Sequence, residues 1–415
     1  VSAVAEPSVV VVGAGHVAAQ AARTLRRRGF AGPVVLVGDE PVAPYQRPHL
    51  SKERLATGGE GGFWLLDPVW CEANDVTVRT SSPVERISAG TGEVLLADGT
   101  ALPAGSVVLA TGGRPRRLPG VEGERVHHIR SLSDSDRLRE RLAPGRRIGV
   151  LGGGFLGTEV AAAAVTRGAE AVVFDLDAVL LARALGAGIG SAITELHRGR
   201  GVDLRLGHGV TEVRAGADGV TVVTAAGAET VDDLVVCIGI VPNIDVAVAS
   251  GLAVGNGVEV DAQGRTSMPA VFAAGDVAAH DHPRYGRIRV EHVDVAQQQA
   301  SAIASTIAGR PTTFADPHWF WTDQYDINVQ GLGLGGVRSG DVVVTRGDLA
   351  ALNGSVFWLR DGVLVGAASI ERGEDISVAR ELIDLEIRVG AGQLADESVA
   401  LEDLLDFDDE EVPVS

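Results

Sequence analysis

The chain has 415 residues, 45% hydrophobic and 22% charged, enough for two or three domains with buried cores and too apolar for a disordered chain. A net charge of −19 at pH 7 excludes a broad nucleic-acid-binding surface. Two distant cysteines, Cys71 and Cys237, exclude a disulfide framework, a zinc site and a dithiol redox centre, so no metal is expected. No apolar run approaches the roughly 18 residues of a membrane helix, and no basic segment precedes the first apolar run as in a signal peptide. A cytoplasmic protein that does not engage a membrane is expected.

Ser8–Val12 is an apolar β-type run followed at once by Gly13-Ala14-Gly15-His16-Val17-Ala18. A helical stretch to Arg28, a Gly29 stop and the apolar run Val34–Val37 come next, then the acids Asp39 and Glu40. Strand, glycine turn, helix, strand and acid make the dinucleotide-binding unit. Glycine lets the backbone approach a pyrophosphate, the helix N-terminus offers free N–H groups, and the acid holds ribose hydroxyls.

One residue stands out by composition in the segment that follows. Of 36 basic residues, Lys52 alone is lysine. Either this is chance in an arginine-rich coding sequence, or the chain retains one compact, flexible ammonium for a purpose arginine does not serve.

Val107–Leu109 leads into the small-residue turn Ala110-Thr111-Gly112-Gly113. The nucleotide pattern then repeats: strand Arg147–Leu151, glycines Gly152, Gly153 and Gly154, a helix from Phe155 and Leu156 to Arg167-Gly168, and strand Ala171–Phe174 ending at Asp175. An acid there repels a 2′-phosphate and favours NADH over NADPH, although Arg183 can still contact phosphate. Two such units imply two different nucleotides. Val235–Gly239 repeats the earlier strand-and-turn form, and Val271–Val277 places Gly275 and Asp276 after a strand, where an aspartate suits a ribityl chain or a bridging water. Beyond Thr322, alternation at Val342–Thr345 and Ser355–Arg360 predicts a small antiparallel sheet, with helical patterns between Ile376 and Asp406. Leu401–Ser415 carries seven carboxylates and no basic residue, which reads as a solvated tail.

Taken in order, these pieces resemble the two-dinucleotide-binding flavoproteins in their glutathione-reductase-like form. More narrowly, they resemble the FAD-dependent, NADH-using ferredoxin reductases of bacterial oxygenase and P450 systems, the putidaredoxin reductase-like group. The resemblance rests on Pro44–Lys52, Ala110–Pro115, Gly152–Glu159, Leu181–Arg183, Val241–Asn243, Ala273–Val277 and Trp319–Tyr325. It implies an α/β fold with two Rossmann-like dinucleotide-binding domains and a C-terminal α+β domain. The FAD domain would take residues 1–113 and 239–320, the NADH domain 114–238, and the C-terminal domain with its acidic tail 321–415.

The resemblance also implies roles. Gly13, Gly15, His16, Val17 and Asp39 fall at the FAD pyrophosphate and adenosine ribose, and Val84 at the adenine. Arg47, Lys52, Ala110, Thr111, Gly112 and Arg130 line the phosphates or flavin. Gly275 and Asp276 fall at the ribityl chain, with Glu291, His292, Val293 and Trp319 around the isoalloxazine. Gly152, Gly154, Phe155, Leu156, Glu159, Asp175, Arg183 and Gly239 receive NADH. Lys52 pairs with Glu159 next to flavin N5, so the only lysine falls where such reductases use one. The implied activity passes electrons from NADH through FAD to a [2Fe–2S] ferredoxin. Pro44–Lys52, where disulfide reductases carry their redox cysteines, has none.

Several residues depart from the pattern: His49 and His318 stand for usual prolines, His292 for an aromatic or aliphatic residue, and Asp294 for asparagine. Histidines titrate near neutrality, so this cluster motivates a second reading, a flavoenzyme acting directly on a small organic substrate. A third, weaker reading is a flavoprotein that senses NADH and changes partners on reduction. Basic residues available for an acidic ferredoxin are Arg114, Arg116, Arg117, Arg372, Arg380 and Arg388.

Overall fold

In a computed structural model, residues 8–59, 61–88, 92–333 and 340–405 are described. Of the expected solvated tail Leu401–Ser415, residues 401–405 are described and are not solvated throughout, since Leu401 and Leu404 are buried in the C-terminal core; the remainder from Asp406 onward lies outside the described residues. The chain divides into two compact units: Val1–His49, Gly59–Pro115 and Gly239–Ala315 form the first, and Leu50–Gly58, Arg116–Ile238 and Asp316–Ser415 the second.

In the first unit the apolar runs become a five-stranded parallel sheet, ordered Val271–Ala273, Ser106–Leu109, Val9–Val12, Val34–Val37, Val76–Arg79. Strands buried on both faces need no polar alternation, which is why Val9–Val12 is four consecutive valines. Val9 and Val11 pack into one core with helices His16–Arg27 and Val293–Ile307. Val10 and Val12 enter another with Ile87, Val94 and Leu96 of a three-stranded antiparallel sheet. Arg26 closes the first helix by donating to the carbonyls of Phe30, Gly32, Asn74 and Asp75, a cation at the negative end of the helix dipole.

The second unit repeats the parallel arrangement, in the order Asp203–Arg205, Glu170–Phe174, Arg147–Leu151, Asp233–Val236, Val126–His127. Asp233, which opens its strand and is fully buried, takes Arg141 at 2.9 Å, Arg146 at 2.6 Å and His127 at 2.9 Å. Burial alone would raise its pKa, but His127 and the two arginines hold it well below the usual carboxylate range. The C-terminal part is a five-stranded antiparallel sheet, ordered Trp319–Gln324, Ile327–Gly333, Val363–Ile370, Asn353–Arg360, Val342–Asp348. Ile376, Ala379, Leu382 and Ile383 of helix Gly373–Asp384 share its core.

The expected strands keep their interiors and shift at their ends, while the C-terminal helical stretch is broken. The strand-and-turn read at Val235–Gly239 is strand Asp233–Val236 followed by a turn at Cys237–Gly239, so the strand begins two residues earlier. Val271–Val277 ends as strand at Ala273 and continues into a 3-10 turn at Gly275–Val277. Helix after Ile376 is broken into Gly373–Asp384, Ala391–Ala395 and a 3-10 turn Leu401–Leu404. No helix among the described residues is long and apolar enough to cross a membrane.

Candidate nucleotide and redox sites

The two units build their glycine turns alike. Gly13, at φ +123°, lies so close to strand Ser106–Leu109 that a Cβ would stand 2.1 Å from the Ala110 carbonyl oxygen. Gly152, at φ +108°, has the same relation to Cys237, at 2.3 Å. A side chain at either position would push the strands apart, and the left-handed φ disfavours any other residue. Gly15 and Gly154 are the opposite case: both are extended, and an added Cβ would meet nothing within 4 Å. Each is the N-cap of a 12-residue helix that has no side-chain cap and no acid in its first turn. The open space beside each helix N-terminus fits a pyrophosphate in each unit.

Around the first turn, Arg47 pairs with Glu40 at 2.8 Å and lies over the Tyr45 ring, while the Tyr45 hydroxyl donates to Glu40 at 2.7 Å. Burial works against the Arg47 charge, yet Tyr45 and Glu40 keep its pKa above the ordinary value. Glu40 is therefore committed to Arg47, and Asp39 stands exposed after the strand. His16 reaches Gln46 at 2.9 Å. Val17 packs beneath Gly275, whose N–H donates to Gln299 at 2.7 Å. Thr111 and Asn243 exchange hydrogen bonds at 2.7 and 2.9 Å, and the Gly112 carbonyl accepts from the Asn243 N–H. Asp276 is half-buried behind Gly275, Glu291 pairs with Arg289, and His292 caps the helix that Val293 begins. Val84 opens a strand of the antiparallel sheet, and Gly239 begins the return segment of this unit.

Burial lowers His292 to about 4, against a smaller raising effect from Asp276. It is therefore neutral at pH 7 and changes no charge there, which removes part of the motive for the direct-substrate reading. His49 lies 6.2 Å from the Phe63 ring, and Phe63 stacks on Tyr45. His318 is a buried residue of the second unit whose carbonyl accepts from Gly333.

The second unit holds Lys52 and Glu159. Lys52 Nζ lies 2.6 Å from Glu159 Oε1 and 3.6 Å from Asp323, with the Lys52 and Glu159 side chains 16% and 8% exposed. Ser51 donates to the other carboxylate oxygen at 2.5 Å, and Thr322 donates to Oε1 at 2.6 Å. The chain of donors continues behind Thr322. Gln324 donates to Thr322 and Thr158, both at 2.9 Å, and its carbonyl receives His197 Nε2 at 2.9 Å. The Tyr325 hydroxyl lies 3.2 Å from His197 Nδ1, and Arg200 caps the Tyr325 ring at 4.8 Å. Burial lowers His197 to about 4, the Gln324 bond notwithstanding, so the ring is neutral. With the Nε2 proton on Gln324, its Nδ1 accepts from Tyr325, and the line Tyr325, His197, Gln324, Thr322 donates step by step toward the Glu159 carboxylate, with Thr158 as a side branch.

Phe155 and Leu156 are half-buried at the start of the second nucleotide helix, with Phe155 5.2 Å from Phe320. Trp319 stacks on Trp321 and donates to Gln330 at 3.0 Å. Arg130, expected among the FAD residues, falls in the second unit just before the capping box of helix Leu132–Arg141. Burial raises the Cys71 thiol, and burial with the charge of Glu159 pushes Cys237 up to about 12. Neither is a thiolate at neutral pH.

Ser51, Thr322, Gln324 and His197 were not among the sequence-expected site residues. Thr322 and Gln324 alternate along a strand in a segment already singled out, and their shared inward face was the available signal.

The paired glycine turns, one per unit, define a protein built on two dinucleotide sites, and residues 7–300 match the family described as pyridine nucleotide-disulphide oxidoreductase. The chain belongs to that family and is an oxidoreductase using FAD and a nicotinamide nucleotide. Residues 319–405 match the reductase C-terminal domain. Over 402 residues the chain is 42% identical to the anthranilate 1,2-dioxygenase system ferredoxin–NAD(+) reductase component of Burkholderia cepacia, covering 95% of this chain and 98% of that one. It is 34% identical to putidaredoxin reductase of Pseudomonas putida over 413 residues, 97% of each. The crystal structure of the covalent putidaredoxin reductase–putidaredoxin complex superposes with a TM-score of 0.91 at 33% identity, covering 97% of this chain and 99% of that one.

Proposed function

We propose that this chain passes electrons from NADH through FAD to a [2Fe–2S] ferredoxin that serves a P450 or a dioxygenase, in the cytoplasm. The observation that carries the reading is the 42% identity, across nearly the full length of both chains, to a dioxygenase-system ferredoxin reductase component. FAD, when bound, accepts a hydride from NADH and releases electrons one at a time. The chain's own residues have narrower tasks. Gly15 and the first turn of helix His16–Arg27 would hold the FAD pyrophosphate, and Arg47, fixed by Glu40 and Tyr45, would neutralise phosphate charge nearby. Asp276 would take the ribityl hydroxyls. Gly154 and the helix it caps would hold the NADH pyrophosphate.

Lys52 and Glu159 form an ion pair clamped by Ser51 and Thr322, which suits orienting a cofactor ring more than exchanging protons with water. With no thiolate at Cys71 or Cys237 and no cysteine in Pro44–Lys52, the chain has no dithiol route for the electrons. Arg116 and Arg117 are exposed and have no ion-pair partner among the described residues, whereas Arg372 is engaged by Glu397 and Asp375. The first two are the better candidates to meet an acidic ferredoxin.

The test is anaerobic stopped flow. The flavin is reduced with one equivalent of NADH and mixed with a panel of oxidised [2Fe–2S] ferredoxins. Rapid reoxidation by at least one member supports the reading; reduced flavin that persists across the panel rejects it.

A further inference from the structure

In a dinucleotide unit the coenzyme is selected where the second strand ends, because the adenosine 2′ position lies there. In the second unit that strand is Glu170–Phe174, and Asp175 follows it. The structure gives Asp175 another task. One carboxylate oxygen accepts the N–H of Gly153, in the glycine turn, and the other accepts the N–H of Asp177 at 2.7 Å. Its backbone is held as well, with the N–H donating to Arg205 and the carbonyl accepting from His208. Each oxygen is engaged by one backbone donor, so Asp175 pins the glycine turn to the end of the strand.

Two residues further on, Asp177 has its backbone fixed by the bond to Asp175 and by Gly207, which donates to its carbonyl. Its side chain takes Arg183 Nε at 2.9 Å. Arg183 is the second residue of helix Ala182–Gly199 and is 77% exposed, against 32% for Asp177. Among the described residues this is the only ion-pair partner of Arg183. Arg205, the nearby alternative cation, is occupied by Asp203 and Glu229. A coenzyme bearing a 2′-phosphate would need Arg183, which is already neutralised, and would meet the Asp177 carboxylate as well.

The geometry points to Asp177, acting on Arg183, as the residue that sets the preference for NADH over NADPH, with Asp175 as the clamp of the glycine turn. The inference rests on the nucleotide reading of this unit. A surface pair of this exposure contributes little to stability, so Asp177 can be changed without unfolding the loop.

The experiment uses FAD-loaded protein and calorimetric titration with two probes, ADP and 2′,5′-ADP. Asp177→Asn should shift the ratio of their affinities toward 2′,5′-ADP by about tenfold, the order expected for one unit charge at a partly solvated distance. Asp177→Glu should keep the original ratio. Asp177→Asn combined with Arg183→Ala should lose the gain. Asp175→Asn should weaken both probes together and leave the ratio unchanged. An unaltered ratio in Asp177→Asn, or a gain that survives without Arg183, overturns the inference. Wild-type protein that binds neither probe overturns the nucleotide reading beneath it.

Discussion

Replacing Thr322 by valine tests the buried donor series directly. Thr322, Gln324 and His197 are each 0% exposed, so no water replaces a lost partner. Valine keeps the shape but removes the hydroxyl that donates to Glu159 at 2.6 Å and accepts from Gln324 at 2.9 Å. A hydrogen bond to a charged group contributes about 1.5–3 kcal/mol, and a buried N–H left over costs about 1–3 kcal/mol. Gln324 keeps Thr158 as a partner for one of its two N–H groups, so the second cost is felt once. These effects are not additive, and about 3 kcal/mol is the expected total. In a unit of this size that lowers the unfolding midpoint by about 6–12 °C. The assay is thermal unfolding of the holoprotein followed by circular dichroism, with Thr322→Ser beside it. Serine keeps the hydroxyl and loses one methyl, so it should recover most of the loss. Equal destabilisation by valine and serine would show that the methyl packing matters and the hydroxyl does not.

Replacing Lys52 by alanine leaves the Glu159 carboxylate with hydroxyl donors only, and should slow flavin reduction by NADH by roughly tenfold or more, as loss of a positioning group does; unchanged stopped-flow traces would make the solitary lysine an accident. Gly154→Ala introduces a methyl that meets no protein atom within 4 Å, so NADH binding should weaken by about tenfold while the melting temperature holds. A matching fall in melting temperature would place the effect in folding. Acid should also destabilise the chain before its carboxylates titrate. His197, His280 and His292 are each lowered by burial to about 4, against about 6.5 unfolded. The unfolded chain takes up those protons first as pH falls, so stability present at pH 7 declines between about 6.5 and 4. Each histidine contributes about 1 kcal/mol of loss between pH 7 and 5.5. Urea midpoints for wild type and His197→Gln test this, and parallel slopes would exclude His197.

The elements most legible in the sequence were those whose signal is local. Four valines before Gly13-Ala14-Gly15 are strand and turn whatever surrounds them, and Val34–Val37 and Arg147–Leu151 have the bounds their apolar runs imply. The pairing of Lys52 with Glu159 was reached only through the family pattern. What stayed hidden depends on distance along the chain or on side-chain commitment. Gln324 and His197 meet across 127 residues, and nothing near either one announces the other. Asp175 has the spacing of a ribose ligand, but spacing does not reveal that both its oxygens turn toward backbone N–H groups. The histidines at 49, 292 and 318 looked alike in sequence, and burial gives them different surroundings.

The solitary lysine has a practical consequence. Because Lys52 is the only lysine side chain, isotopic labelling of that amino acid yields one ammonium resonance, and the label falls on the ion pair with Glu159. The Lys52 side chain is largely buried and its Nζ is hydrogen-bonded to Glu159. A single line in a spectrum can therefore report the state of this site through reduction, coenzyme binding and partner docking, with no engineered probe in the chain.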